Sequence, residues 1–190
     1  MPSSPSLKGV IVRPGAARSR LEALELAKAR PCPSCGARIG PSQAGPADPG
    51  DGAVWDIRAP CFVCGTVVRY LFDAGPGWPE TPEATGGRRD PDTFAIHYGP
   101  RGTQTGILTA DDLSKLLDDA RATLAERETE LAANPDDAML PRLVAEAAAA
   151  VLRPLAELEA QNKLERLPKD FDRLKRDAGA RLAAIGLWSG

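Results

Sequence analysis

The chain has 190 residues, 43% of them hydrophobic and 26% charged, which is apolar material for one ordinary domain or two small units. Its 24 basic and 26 acidic side chains leave a formal charge of -2, so the overall balance does not steer it toward phosphate backbones. A single histidine makes a histidine-based catalytic metal site hard to assemble, and 18 glycines with 18 prolines predict long irregular connections.

The N-terminus, MPSSPSLKGVIV, has no basic run followed by a sustained apolar stretch, and no segment reaches the roughly eighteen apolar residues that a membrane span needs. A soluble, cytoplasmic protein without a membrane partner is the expectation. Residues 1–17 read as a mostly loose arm in which Val10, Ile11 and Val12 form a short strand. Ser19 with Glu22 makes a capping-box pattern, and Leu21, Leu24 and Ala27 recur at three-residue spacing, predicting a helix over 20–29 that Pro31 ends. Residues 40–53 consist largely of turn formers and read as a loop. Strands are predicted over 54–59 and 66–72. In the second, Val68, Tyr70 and Phe72 face one way and Val67, Arg69 and Leu71 the other, with partial burial of both faces. A further loop over 74–92 leads to Phe94, Ile96 and Tyr98, whose alternation predicts a last short strand.

From Thr109 the pattern becomes helical. Thr109 and Asp112 stand as a capping pair ahead of Leu113, Leu116, Leu117, Ala120 and Leu124, and Asn134 with Pro135 stops that stripe. A second helix is predicted from Asp136 or Asp137, carrying Leu143, Ala147, Val151, Leu155 and Leu158, with Pro154 expected to kink or divide it. Phe171, Leu174, Ala178, Leu182 and Ile185 mark a last helix from about Lys169, with Gly186 as its C-cap.

Two short units carry the chemistry: Cys32-Pro33-Ser34-Cys35-Gly36 and Cys61-Phe62-Val63-Cys64-Gly65. A two-residue gap lets a tight turn aim two sulfurs at one ion, and the glycine that follows admits backbone angles that a side chain hinders. Clustering of the cysteines in two such units favours metal over structural disulfides, and the second unit favours a shared ion over a dithiol redox centre. Four thiolates fill a tetrahedral Zn2+ shell and leave no position for substrate, so the predicted site is structural, with Cys32, Cys35, Cys61 and Cys64 as ligands. Iron accepts the same ligand set and is the alternative metal. The energetic reason for a metal is size: a patch of fewer than about fifty residues buries too little surface to fold securely without a staple. Through CPSCG and CFVCG, residues 30–73 resemble the bacterial zinc-ribbon class. The resemblance implies a ribbon fold element and zinc ligands, while ribbons of this kind serve nucleic-acid binding, enzyme subdomains and protein contacts alike.

Other residues invite a role. His97 reads as a structural or strand-surface histidine rather than a general base. Arg88, Arg89 and Arg101 could contact phosphate, but Asp90 and Asp92 dilute their field. Trp55 reads as a ribbon-core residue, Trp78 as packing or a contact surface, and Trp188 as a pin for the C-terminus. The pairs Asp111–Asp112, Asp118–Asp119 and Asp136–Asp137 do not share a helical face and read as helix starts and solvated surface. The resulting expectation is an α+β chain: an N-terminal arm and helix over 1–29, a zinc ribbon with short antiparallel strands over 30–108, and a helical unit over 109–190. The expected function is a non-catalytic, zinc-stabilised accessory or toxin-neutralising protein with a protein partner. A nucleic-acid-associated regulator and an enzyme with a structural zinc are the alternatives.

Overall fold

In the computed structural model, which describes residues 9–39, 43–53, 55–74, 98 and 106–187, the apolar runs of the first half become a four-stranded sheet. The strands are β1 (Gly9–Ala17), β2 (Gln43–Pro46), β3 (Trp55–Pro60) and β4 (Val67–Ala74), in the spatial order β1-β4-β3-β2. The chain is α+β, a mixed-sheet unit that carries the cysteines followed in sequence by a helical bundle. The described residues up to Ala74, with Gly106 and Ile107, belong to one compact unit, and Tyr98 with Leu108 onward to the other.

β3 and β4 pair antiparallel, as do β2 and β3. β1 departs from the antiparallel expectation: it lies parallel to β4 from Gly9 beside Val67 to Ala17 beside Ala74, with an irregularity between Val12 and Gly15. Parallel neighbours need a crossover between them, and the chain supplies one from β1 to β4 that includes a helix and two other strands. The arm is thus a nine-residue strand rather than a three-residue one. Part of the expected loop over 40–53 is also ordered, as β2 and a short 3-10 turn at Pro49–Asp51. Gln43–Pro46 contains no strong strand former; it extends along the edge of β3, a position where a proline is tolerated.

Pairing in register gives the sheet one apolar face. Trp55 sits opposite Phe72, Ile57 opposite Tyr70 and Ala59 opposite Val68, and all six are buried. Helix α1 (Arg20–Ala29) packs on β3 and β1. Its buried positions include Ala23, Leu26 and Ala27, whereas Leu21 and Leu24 are half-buried: the face is set by the docking surface, and the i, i+3 stripe runs along its margin. Ser19 caps α1 by accepting the Glu22 N–H. Glu22 completes a different pair from the one expected. Its carboxylate accepts the Arg18 N–H at 2.6 Å and meets the Arg18 guanidinium at 2.8 Å, entirely out of water.

The helical unit holds α2 (Ala110–Ala133), α3 (Leu140–Ala160) and α4 (Phe171–Ala183). Thr109 and Asp112 form the reciprocal capping box at the start of α2. Leu117, Ala120, Ala148, Ala149, Val151, Leu152, Leu155, Ala178 and Leu182 share one core, and the small residues of α3 allow α2 and α4 to pack on it. α3 begins at Leu140 rather than Asp136, because Asn134–Met139 is spent in turns, with the Asp137 carboxylate accepting the Met139 N–H. It also runs unbroken through Pro154, which is buried: packing on both sides holds the helix across the missing N–H. Gly186 takes a φ of 77° just beyond α4, and the Leu187 N–H reaches back to the Leu182 carbonyl.

Candidate metal centre

The two cysteine units fold as the same turn. In the first, the Gly36 N–H donates to the Cys32 carbonyl at 2.8 Å and the Cys32 N–H donates to the Ala37 carbonyl at 2.8 Å. In the second, the Gly65 N–H donates to the Cys61 carbonyl at 2.9 Å and the Cys61 N–H to the Thr66 carbonyl at 2.8 Å. Each turn closes through a glycine in the left-handed region, with φ of 73° at Gly36 and 70° at Gly65, which is the physical reason for a glycine after each C-x-x-C. The first turn follows α1 through Arg30 and Pro31. The second is the hairpin connection between β3 and β4, set by the Pro60–Val67 pair at the end of the ladder. Helix α1 and the sheet therefore deliver one knuckle each.

Together the knuckles bring all four sulfurs within 4.8 Å of one another, with Cys32 and Cys61 buried and Cys35 and Cys64 exposed. Among the described residues this is the one group of metal-ligating side chains so placed. Across the knuckles, Cys32 Sγ lies 3.7 Å from Cys64 Sγ and Cys35 Sγ 3.6 Å from Cys61 Sγ. Tetrahedral zinc with Zn–S bonds of roughly 2.3 Å requires sulfurs about 3.8 Å apart, so the cluster has the dimensions of a four-thiolate site. Without a metal the thiols share their protons unequally. Thr66, through its hydroxyl at 3.2 Å and then its N–H, favours the Cys64 thiolate and brings that group down to about 6. The Ala37 N–H favours the Cys35 thiolate, yet hydrogen bonding to Cys64, desolvation and the bonds to Cys61 and Cys32 together carry Cys35 up to about 12.

The residues between the ligands differ sharply. Pro33 and Ser34 occupy the first knuckle; in the second, Phe62 is 76% and Val63 is 74% exposed, among the most exposed large apolar side chains described. Sequence reasoning treated these two as spacers. The signal was present: side chains between two ligands of a tight knuckle are held away from the ion, so an apolar pair there is an outward-facing pair. Trp55 is buried in the sheet, as expected of a core residue, with the Arg20 guanidinium 5.6 Å from its ring centroid. Asp112 is spent in the capping box and Asp111 pairs with Arg166 at 3.2 Å, in keeping with a helix start. Trp78, Arg88, Arg89, His97, Arg101 and Trp188 lie outside the described residues, as do Phe94 and Ile96. Tyr98 is buried. No helix among the described residues is long and apolar enough to cross a membrane.

Comparison with known protein families, curated proteins and solved structures finds no match to this chain. The four-cysteine cluster is zinc-ribbon-like in spacing and geometry, and it is this cluster, set between helix and hairpin, that any functional reading has to start from.

Proposed function

We propose that Cys32, Cys35, Cys61 and Cys64 hold one zinc ion in a closed, structural site, that the surrounding unit is a zinc ribbon of the bacterial class, and that the chain is a non-catalytic accessory protein that binds another protein. Four thiolates leave no coordination position for a substrate or water, which supports a structural rather than a Lewis-acid role. The observation that carries the protein-binding reading is the exposure of Phe62 and Val63 on the tip of the second knuckle. A hairpin turn closed by backbone hydrogen bonds, and by the metal when bound, fixes the backbone that carries these side chains, so less ordering is left to be done on binding. Phenylalanine is among the side chains enriched at the buried core of protein interfaces.

Metal analysis of the reduced protein is expected to give one zinc per chain. Capture from source-cell lysate is expected to retain a specific protein that is lost with Phe62→Ser/Val63→Ser, a pair of surface changes that leaves metal content unchanged. Absence of metal sinks the structural-site reading. A partner held equally by the double variant, or material released by nuclease, sinks the knuckle-tip reading.

A further inference from the structure

Within the four-sulfur cluster, two short sulfur–sulfur distances run between the knuckles, and each joins an exposed cysteine to a buried one. Exposed Cys64 lies against buried Cys32 at 3.7 Å, and exposed Cys35 against buried Cys61 at 3.6 Å. Each pair spans the two knuckles. Resting on the zinc reading above, we propose that the centre is a peroxide-responsive switch in which oxidation releases the metal and leaves cross-knuckle disulfides, Cys32–Cys64 and Cys35–Cys61, in its place.

The chemistry follows from access and proximity. A hydroperoxide reaches the exposed sulfur first. The Cys64 thiolate attacks a peroxide oxygen; an S–O bond forms, the O–O bond breaks, and hydroxide leaves. The Cys32 thiolate then attacks the Cys64 sulfur, the S–S bond forms, and a second hydroxide leaves with the S–O bond. Two thiolates have lost two electrons, one peroxide has gained them, and the metal is left with Cys35 and Cys61. Two thiolates cannot hold zinc in a closed shell, so the ion departs, and a second peroxide joins the remaining pair by the same steps. Sulfurs 3.6–3.7 Å apart must close to roughly 2.05 Å for each bond to form. Crossed linkage has a consequence that linkage within each C-x-x-C lacks. It keeps the α1 knuckle tied to the β3–β4 knuckle after the metal has gone, so the oxidised unit retains a staple.

Linkage between the knuckles is told from linkage within each by mass, because Lys28, Arg38, Arg58 and Arg69 place Cys32 and Cys35 in one tryptic peptide, residues 29–38, and Cys61 and Cys64 in another, residues 59–69. Fragmentation of the joined peptides between the paired cysteines then separates Cys32–Cys64 with Cys35–Cys61 from the opposite pairing, which would overturn the proposal. The zinc-loaded full chain is treated with hydrogen peroxide, released zinc is followed with a chromogenic chelator, and the non-reduced digest is weighed. Near-complete zinc release with the two peptides covalently joined, and reversal by a dithiol followed by zinc, is the expected result. Two separate peptides, each with an internal disulfide, overturn the proposal. So does zinc that stays bound while the exposed Met139 is oxidised. The zinc content of the untreated protein reports on the structural-site reading, and the peptide linkage reports on the switch, so the two can fail separately.

Discussion

Gly106 shows how far a single atom can matter in the sheet unit. A methyl group built on it would fall 1.5 Å from Glu22 Oε1 and 2.5 Å from Arg18 Nη2, within the buried ion pair that closes the start of α1. Gly106→Ala is expected to destabilise this unit by about 1–3 kcal/mol, the usual cost of overpacking. Gly50→Ala meets open space and should stay within about 0.5 kcal/mol of wild type in the same thermal melts. Asp56 is the second sensitive residue. Its buried Oδ2 accepts from Arg58 Nε at 2.7 Å and from Arg69 Nη2 at 2.8 Å. Burial alone would raise this carboxyl, but hydrogen bonds and charge from Arg69 and Arg58 outweigh it and hold the group below its ordinary value. A carboxylate depressed in the folded state stabilises fully at neutral pH, and that stabilisation is lost as pH falls from the ordinary value, about 3.9, through the folded one. Asp56→Asn should therefore cost about 1–3 kcal/mol at pH 7. The gap to wild type should narrow in denaturant melts carried toward pH 3; a constant gap would contradict the ion-pair account.

At the scale of elements, local signals were the most faithful. The limits of α1, its Ser19 cap, the Thr109–Asp112 box of α2 and the left-handed Gly186 after α4 were all legible, because each depends on residues within one turn of each other. What local reasoning missed were elements whose reason lies elsewhere in the chain. Gly9–Ala17 becomes a long strand because β4 offers it a ladder, and Gln43–Pro46 becomes one because β3 does. Pro154 reads as a break, but α3 is held across it by packing on α2 and α4. That packing makes Leu182 a sound test of the bundle: it is 1% exposed and sits in the shared core. Leu182→Ala is expected to cost about 2–5 kcal/mol in chemical denaturation, as cavity-forming substitutions do. The loss should appear in the helical circular dichroism transition.

At the scale of the whole molecule the chain holds two compact units with different sources of stability. The helical unit has a contiguous apolar core. In the sheet unit, the knuckles after α1 and between β3 and β4 converge on the cysteine cluster, so a metal held there would add folding free energy, on the order of 10–16 kcal/mol in isolated zinc peptides. Removing metal from the reduced protein should accordingly raise amide hydrogen exchange in β3, β4 and both knuckles while leaving α3 protected. Equal loss of protection in α3 would show instead that the bundle depends on the sheet unit.

The two cysteine knuckles, the helices and their caps, and the α+β order of the chain could be read from residue spacing, because two-residue knuckles, capping pairs and apolar stripes encode geometry within a few neighbouring positions. Three things needed the folded chain: the parallel place of β1, the convergence of a knuckle after α1 with one between β3 and β4, and the burial of Cys32 and Cys61 beside exposed Cys35 and Cys64. Each of these depends on groups brought together from distant positions, where burial and strand pairing, not local spacing, set what meets what.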